Sequence, residues 1–254
     1  MSKRFALVRK PAESLADGMV TFVERRPVDL ELARRQWAAY VAALEANGWP
    51  TVEVDADDTL PDSVFVEDTV VMFGPVAVLT NPSRAARHAE VAGTGRKLRE
   101  LGLEPLALTE GHLDGGDVLK VGRTVYVGLG GTSDRSAIDQ LRRILRPRGW
   151  TVVAVPVTKA LHLKSALTAL PDGTIIGYGP LVDDPSLFPC FLDVPEEPGA
   201  HVVVLDDDTV LMSDRAPETE SILRSRGLRV VPVDISEYQK LEGCVTCLSV
   251  RVRQ

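Results

Sequence analysis

The sequence predicts an α/β fold of five similar strand-and-helix units packed radially, with short strands at the centre and helices outside. Three observations predict it. β-Branched apolar runs recur along the whole chain, helical patterns separate them, and several helical patterns end near a glycine from which the same order of elements starts again. The repeat length is roughly 45 to 50 residues.

Strand-type runs lie at positions 5–9, 51–54, 64–73, 76–80 and 118–128, then at 151–157, 165–177, 201–212, 228–233 and 245–252. Helical patterns lie at 30–46, 84–101, 135–145 and 218–226. Gly48, Gly102, Gly149 and Gly227 stand at their ends, where a left-handed residue caps a helix without steric cost. Each glycine is followed by an exit strand, carrying Val52, Leu106, Val153 or Val230, then a polar turn, a strand hairpin and the next helix. Five units are complete if the amino-terminal strand closes against the carboxy-terminal one. The fourth is the weakest, because positions 183–198 are proline-rich and carry no helical pattern. No GxGxxG or GxxxxGK[ST] signature opens a helix, so a nucleotide site has no basis. An ordinary α/β sandwich without symmetry is the alternative architecture.

A chain of 254 residues, 44% hydrophobic and 26% charged, has material for a full core, and we expect a single domain over residues 1–254. The early apolar run, residues 5–8, is too short for a signal peptide, and no segment approaches the roughly 20 apolar residues that span a bilayer. A cytoplasmic protein with no membrane partner is expected. Three cysteines, Cys190, Cys244 and Cys247, fit a reducing compartment better than a disulfide scaffold and leave a thiol free for chemistry. A net charge of −7 without long basic clusters argues against nucleic acid and favours a cationic ligand.

The densest polar motif is Pro61 to Asp68. Read as a strand, it puts Asp62, Val64, Val66 and Asp68 on one face and Phe65 and Glu67 on the other. Paired carboxylates beside Glu67 suit a spread cation such as guanidinium, held by charge-assisted hydrogen bonds. The bland alternative is a solvated strand edge. A second cluster runs from Glu110 to Asp117, where Gly115 and Gly116 permit a close backbone approach that aims an aspartate inward. His162, framed by Leu161 and Leu163, follows Asp114 by about one repeat, so a radial fold would place the two at equivalent positions. Taken alone, that histidine reads as a hydrogen-bonded core residue. Cys247 ends a Cys-x-x-Cys string with Cys244 but lacks the helix of a redox motif and the further ligands of a zinc site. Together the clusters offer a nucleophile, a proton shuttle, a group to orient it and an anionic receptor.

At these residues the chain resembles the dimethylarginine dimethylaminohydrolases, within the guanidine-modifying (pentein) superfamily. The resemblance is carried by Ser14 to Gly18, Pro61 to Asp68, Leu113 to Leu119, Leu161 to Lys164 and Gly243 to Ser249. It implies a five-bladed α/β propeller with pseudo-fivefold ββαβ repeats. It also implies Cys247 as nucleophile over Cys244, His162 as proton shuttle and Asp114 as its orienting group. Asp62, Glu67 and Asp68 would hold the guanidinium with Phe65 packed beside it; Arg87 would meet the amino-acid end, Met19 would lie on the first loop, and the Leu241 backbone would touch substrate. The implied reaction converts an N-methylated arginine, or a close alkylguanidine, to citrulline or a urea product through a covalent thiouronium, with no metal or organic cofactor.

The resemblance breaks at Thr132, where the family usually has an arginine for the substrate α-carboxylate. The missing bidentate contact, worth roughly 1.5 to 3 kcal/mol, predicts weak carboxylate recognition unless Arg135 or Arg87 replaces it. Arginine deiminase and amidinotransferase chemistry remain alternatives within the superfamily. From other classes, a non-catalytic guanidine-binding protein and a thiol/zinc module built on Cys244, Cys247 and His162 remain open, as does a homodimer.

Overall fold

The computed structural model describes residues 4–253. The chain enters on β1 (Arg4–Val8), crosses α1 (Leu30–Ala46) and returns on β2 (Thr51–Glu53), parallel to β1. A hairpin of β3 (Val70–Phe73) and β4 (Val76–Leu79) follows, then α2 (His88–Glu100) and β5 (Leu106–Ala107), parallel to β4. The pattern recurs in β6 (Val118–Val121), β7 (Thr124–Gly130), α3 (Arg135–Leu145) and β8 (Thr151–Val157). Next come β9 (Leu167–Ala169), β10 (Ile175–Gly177) and β11 (Phe191–Asp193). The last hairpin is β12 (Val202–Val204) and β13 (Thr209–Ser213), followed by α4 (Pro217–Ser225) and β14 (Arg229–Val233). After the short α5 (Ser236–Gln239), β15 (Val250–Arg253) pairs antiparallel with β1.

The result is five three-stranded sheets, each an antiparallel pair with a third strand parallel to it. A parallel return needs a crossover, and a helix on the outer face supplies it in four blades. In the fourth blade, 3-10 turns at Gly179–Leu181 and Pro185–Leu187 make the crossing instead, as the prolines there require. Closure of β1 on β15 confirms the expected joining of first and last strands and the five-bladed propeller. Gly48, Gly102, Gly149 and Gly227 adopt φ of 77°, 79°, 76° and 87°, the left-handed caps the sequence predicts. Among the described residues no helix is long and apolar enough to cross a membrane.

Two strand expectations need correction. The run at 64–73 becomes a strand only at Val70, because Val66–Thr69 winds into a 3-10 helix. Asp68 N donates to Phe65 O at 3.2 Å and Glu67 N to Cys247 O at 3.2 Å, so the local bonds that would have formed a ladder are used otherwise. Strict alternation of faces fails accordingly. The run at 245–252 likewise becomes a strand only at Val250, and Cys247 lies in the turn before it, its N–H donating to Cys244 O at 3.1 Å.

That turn is fastened to α1. Tyr40, wholly buried, donates to Val245 O at 2.8 Å and shares a 2.7 Å hydrogen bond with Ser249 Oγ. Tyr40→Phe keeps the ring but strands both partners, and a loss of about 1–3 kcal/mol is expected. Urea titration measures it, with a fall in kcat as Cys247 loses its fixed position; an unchanged midpoint would show that the turn holds without α1.

Candidate active site

The loops at one end of the blades enclose a cavity lined by Met19, Asp62, Phe65, Asp68, Arg84, Arg87, His162, Leu241 and Cys247, with Thr21, Leu161, Glu242 and Gly243. Eight side chains singled out from the sequence therefore share one cavity wall: Met19, Asp62, Phe65, Asp68, Arg87, His162, Leu241 and Cys247. Phe65, which strict alternation put opposite the two aspartates, packs with them and meets Tyr238 edge-on at 6.3 Å.

His162 is the hub of the floor. Its Nε2 lies 3.2 Å from Asp114 Oδ2, and its Nδ1 lies 3.9 Å from Asp68 Oδ1. Burial opposes a charge on the ring, yet Asp68, the hydrogen bond to Asp114 and the charge of Asp117 raise its pKa to about 10. The ring is an imidazolium at neutral pH. Asp68 is buried too, which favours its neutral acid, but His162 and Arg87 hold its carboxyl below the usual range. Asp62 has less help, and burial raises it despite Arg87 and a 3.1 Å bond from Met19 N. Backbone crowding under the imidazole explains the glycine pair: a Cβ on Gly116 would stand 2.5 Å from His162 Nδ1, and one on Gly115 would stand 2.0 Å from Glu67 O. Gly116 N also donates to Asp68 Oδ1 at 2.9 Å.

The two thiols are neighbours facing different spaces. Cys247 Sγ and Cys244 Sγ are 3.2 Å apart. Cys247 faces the cavity of Asp62 and Asp68, whereas Cys244 lines an adjoining cavity with Lys159, His201 and Lys240, the two sharing Leu161, Glu242 and Gly243. The hydrogen bond to Cys244, burial and the nearby carboxylates Glu67 and Asp68 push the Cys247 thiol well above its ordinary value. A cation bound against Cys247 reverses the last of these effects.

Three expected residues lie off this wall. Glu67 points to the opposite side, where its carboxylate accepts from Lys164 Nζ and, at 2.7 Å, from Thr246 Oγ1; burial raises its pKa although Lys164 opposes the rise. Asp114 sits behind His162 with one oxygen, Oδ1, free of a protein partner. Thr132 turns inward, its hydroxyl 2.6 Å from Asp117 Oδ2, a carboxylate that also accepts from Ser133 Oγ at 2.6 Å and Leu163 N at 2.9 Å. Asp117 thus ties the loop after β7 to the backbone beside His162. Arg135 is exposed at the start of α3 and takes no part in the cavity.

Among the described residues, the group of three potential metal ligands with atoms within 4.8 Å of one another is Asp68, Asp114 and His162. Both Asp68 oxygens already accept hydrogen bonds, from Arg87 and Gly116, and Asp114 Oδ2 is paired with His162. The donor set is engaged in hydrogen bonds within the site.

No family model matches the sequence. A curated N(G),N(G)-dimethylarginine dimethylaminohydrolase of Streptomyces coelicolor is 56% identical over 255 residues, covering 100% of this chain and 99% of that one. The chain belongs to the dimethylarginine dimethylaminohydrolase family. A second member, from Pseudomonas aeruginosa, is 31% identical over 251 residues, covering 96% of this chain and 98% of its own. A cysteine-to-serine mutant of the Pseudomonas aeruginosa family member, solved with citrulline, superimposes with a TM-score of 0.91 at 29% identity over 97% of this chain and 98% of that one. The amino-terminal domain of ArgZ, a cyanobacterial arginine dihydrolase, shares the fold at a TM-score of 0.88 and 20% identity, over 98% of each chain.

Five residues of this family member's cavity, Thr21, Arg84, Leu161, Glu242 and Gly243, were not singled out as site residues from the sequence. Leu161 and Gly243 open the motifs that carry His162 and Cys247, while Thr21 is an ordinary loop residue with no motif of its own. Glu242 is the exception in conformation, with φ 61°, and its carboxylate gathers the backbone N–H groups of Thr21, Phe22 and Val23 over the cavity mouth. Nothing in its sequence neighbourhood signals this. Arg84 was passed over for Arg87, three residues on, which has the stronger motif position.

Proposed function

We propose that the chain is a single catalytic domain that hydrolyses N-methylated arginine to citrulline and methylamine or dimethylamine, with Cys247 as nucleophile, His162 as general acid and base, and Asp114 as its positioning group. The observation that carries this reading is the convergence of Cys247, an imidazolium His162, Asp62, Asp68 and Phe65 on one cavity from which Cys244 is excluded. The citrulline complex of a relative supports the product assignment.

Asp62 and Asp68 attract the guanidinium, and Phe65 packs against its apolar substituents. The bound cation lowers the Cys247 thiol, which releases its proton to solvent, and the thiolate adds to the guanidinium carbon. The C–N bond to the methylated nitrogen breaks as His162 gives that nitrogen its proton, leaving a thiouronium on Cys247. Water then adds to the same carbon, and the neutral His162 takes its proton. The C–S bond breaks, returning the thiolate and releasing the ureido product. A buried Glu67, neutralised by Lys164, supports the backbone that carries Phe65 and Asp68. A free catalytic thiol is best kept in a reducing compartment, which favours the cytoplasm as the location.

The test is product analysis of purified protein with dimethylarginine, monomethylarginine and arginine, reading ureido product against dimethylamine, methylamine and ammonia. Citrulline with dimethylamine or methylamine is expected. Ammonia from arginine as the main product would make the chain a deiminase, and bound zinc without turnover would make it a metal-binding module.

A further inference from the structure

We infer that the axial channel of the propeller is a binding site for a small tetrahedral oxyanion, inorganic phosphate or sulfate. One strand of each blade lines it, with Met72 of β3, Lys120 of β6, Thr168 of β9, Val204 of β12 and Arg251 of β15 in its wall. The channel encloses about 360 Å³, ample for such an ion with part of its water. No residue lines both this channel and the active-site cavity, so the inference stands whatever the chemistry at Cys247.

The wall is cationic. It carries Lys120, Lys164, Arg251 and Arg253 against a single carboxylate among the described residues, Glu67, in a chain whose net charge is −7. Glu67 is already engaged, accepting from Lys164 Nζ and Thr246 Oγ1. Arg253 lies over the Trp49 ring, 4.6 Å from its centroid. Lys120 and Arg251 have no carboxylate partner among the described residues. The Lys120 ammonium donates to Met72 O at 2.6 Å, which leaves two of its three N–H groups for a ligand. The Arg251 guanidinium meets no protein acceptor among the described residues, so its planar fork is available to a tetrahedral oxyanion.

The fold forces these charges together. Alternation along β15 puts Arg251 and Arg253 on one face while Val250 and Val252 pack into the core on the other. Enclosure by the blades and the charges of Lys164, Arg251 and Arg253 pull the Lys120 ammonium down to about 7, although Glu67 opposes the fall. Its side chain is still reached by solvent, because the channel is wide enough for water. A wall of one sign focuses its field into the channel, and a dianion bound there offsets the repulsion between cations of β6 and β15.

The experiment uses sulfate, a dianion throughout the neutral range, with wild type, Lys120→Met and Arg251→Met compared by titration calorimetry and thermal melting at constant ionic strength. Wild type should bind sulfate and melt at a higher temperature in its presence. Each variant should lose about 10-fold or more in sulfate affinity, the scale of one hydrogen bond to a charged group, and most of the melting shift with it. Lys120→Met keeps an unbranched side chain and removes a crowded charge, so it carries the test even where Arg251→Met fails to fold. Absence of sulfate binding by wild type overturns the inference. Equal affinities and equal melting shifts in all three proteins also overturn it, the shift then being the general exclusion of sulfate from protein surfaces. Inorganic phosphate and glycerol phosphate distinguish a free ion from a phosphate ester: the ester should bind no more tightly than the ion, and tighter binding of the ester overturns the assignment to a free oxyanion.

Discussion

Cys247→Ser is expected to lose turnover by about four orders of magnitude or more, the scale on which removal of a covalent nucleophile acts. Cys244→Ser is expected to stay within a few-fold of wild type. The sulfurs are 3.2 Å apart, so distance alone does not choose between them. The cavities do: Cys247 opens on the aspartates that attract the cation, and Cys244 opens on the adjoining cavity with His201. The hydrogen bond between the two sulfurs pushes the Cys247 thiol up and draws Cys244 down, and burial and the nearby carboxylates add to the rise at Cys247. A cationic haloacetamidine should therefore label Cys247 much faster than neutral iodoacetamide does at the same pH, the cation supplying the charge that favours the thiolate. Mass spectrometry of the labelled peptide decides the matter. Label on Cys244 with Cys247 untouched would reverse the assignment.

His162→Ala should lower kcat by about 10²- to 10⁴-fold, since one imidazole serves leaving-group protonation and water activation. The ring's pKa of about 10, raised against burial by Asp68, Asp114 and Asp117, means that wild type has its acid ready throughout the neutral range. Histidine proton shifts followed by NMR should show His162 titrating near 10 in the ligand-free protein. Asp114→Asn removes a charged acceptor, so its His162 should titrate lower and its kcat should fall less than in His162→Ala. The same shift has a consequence for stability. The folded value lies above the unfolded value of roughly 6.5, so His162 contributes its full stabilisation below that pH. The contribution is lost as pH rises through about 10. A His162 variant as active as wild type, or a ring that titrates near its unfolded value, would remove the imidazolium from the mechanism.

Much of this was legible in the chain alone. Helices at Leu30–Ala46 and Arg135–Leu145 have the bounds their periodicity predicts, and the glycines after α1, α2, α3 and α4 sit in the left-handed conformation their positions imply. Local patterning suffices there because a helix and its cap are set by residues within one or two turns. Asp62, Asp68, His162 and Cys247, read as a receptor, a shuttle and a nucleophile, do meet in one cavity, because the repeat carries equivalent positions to the same end of the propeller. What only the tertiary structure decided is how each charge is partnered. Two arginines three residues apart look alike in sequence, yet Arg87 pairs with Asp68 and Glu90 while Arg84 meets Met19 and Thr21 at the mouth. Glu67, adjacent to Asp68, turns to Lys164, nearly a hundred residues on, and Thr132 turns to Asp117. In each case the energy of leaving a buried polar group unpaired chooses the partner, and that choice depends on contacts between blades that no local spacing records.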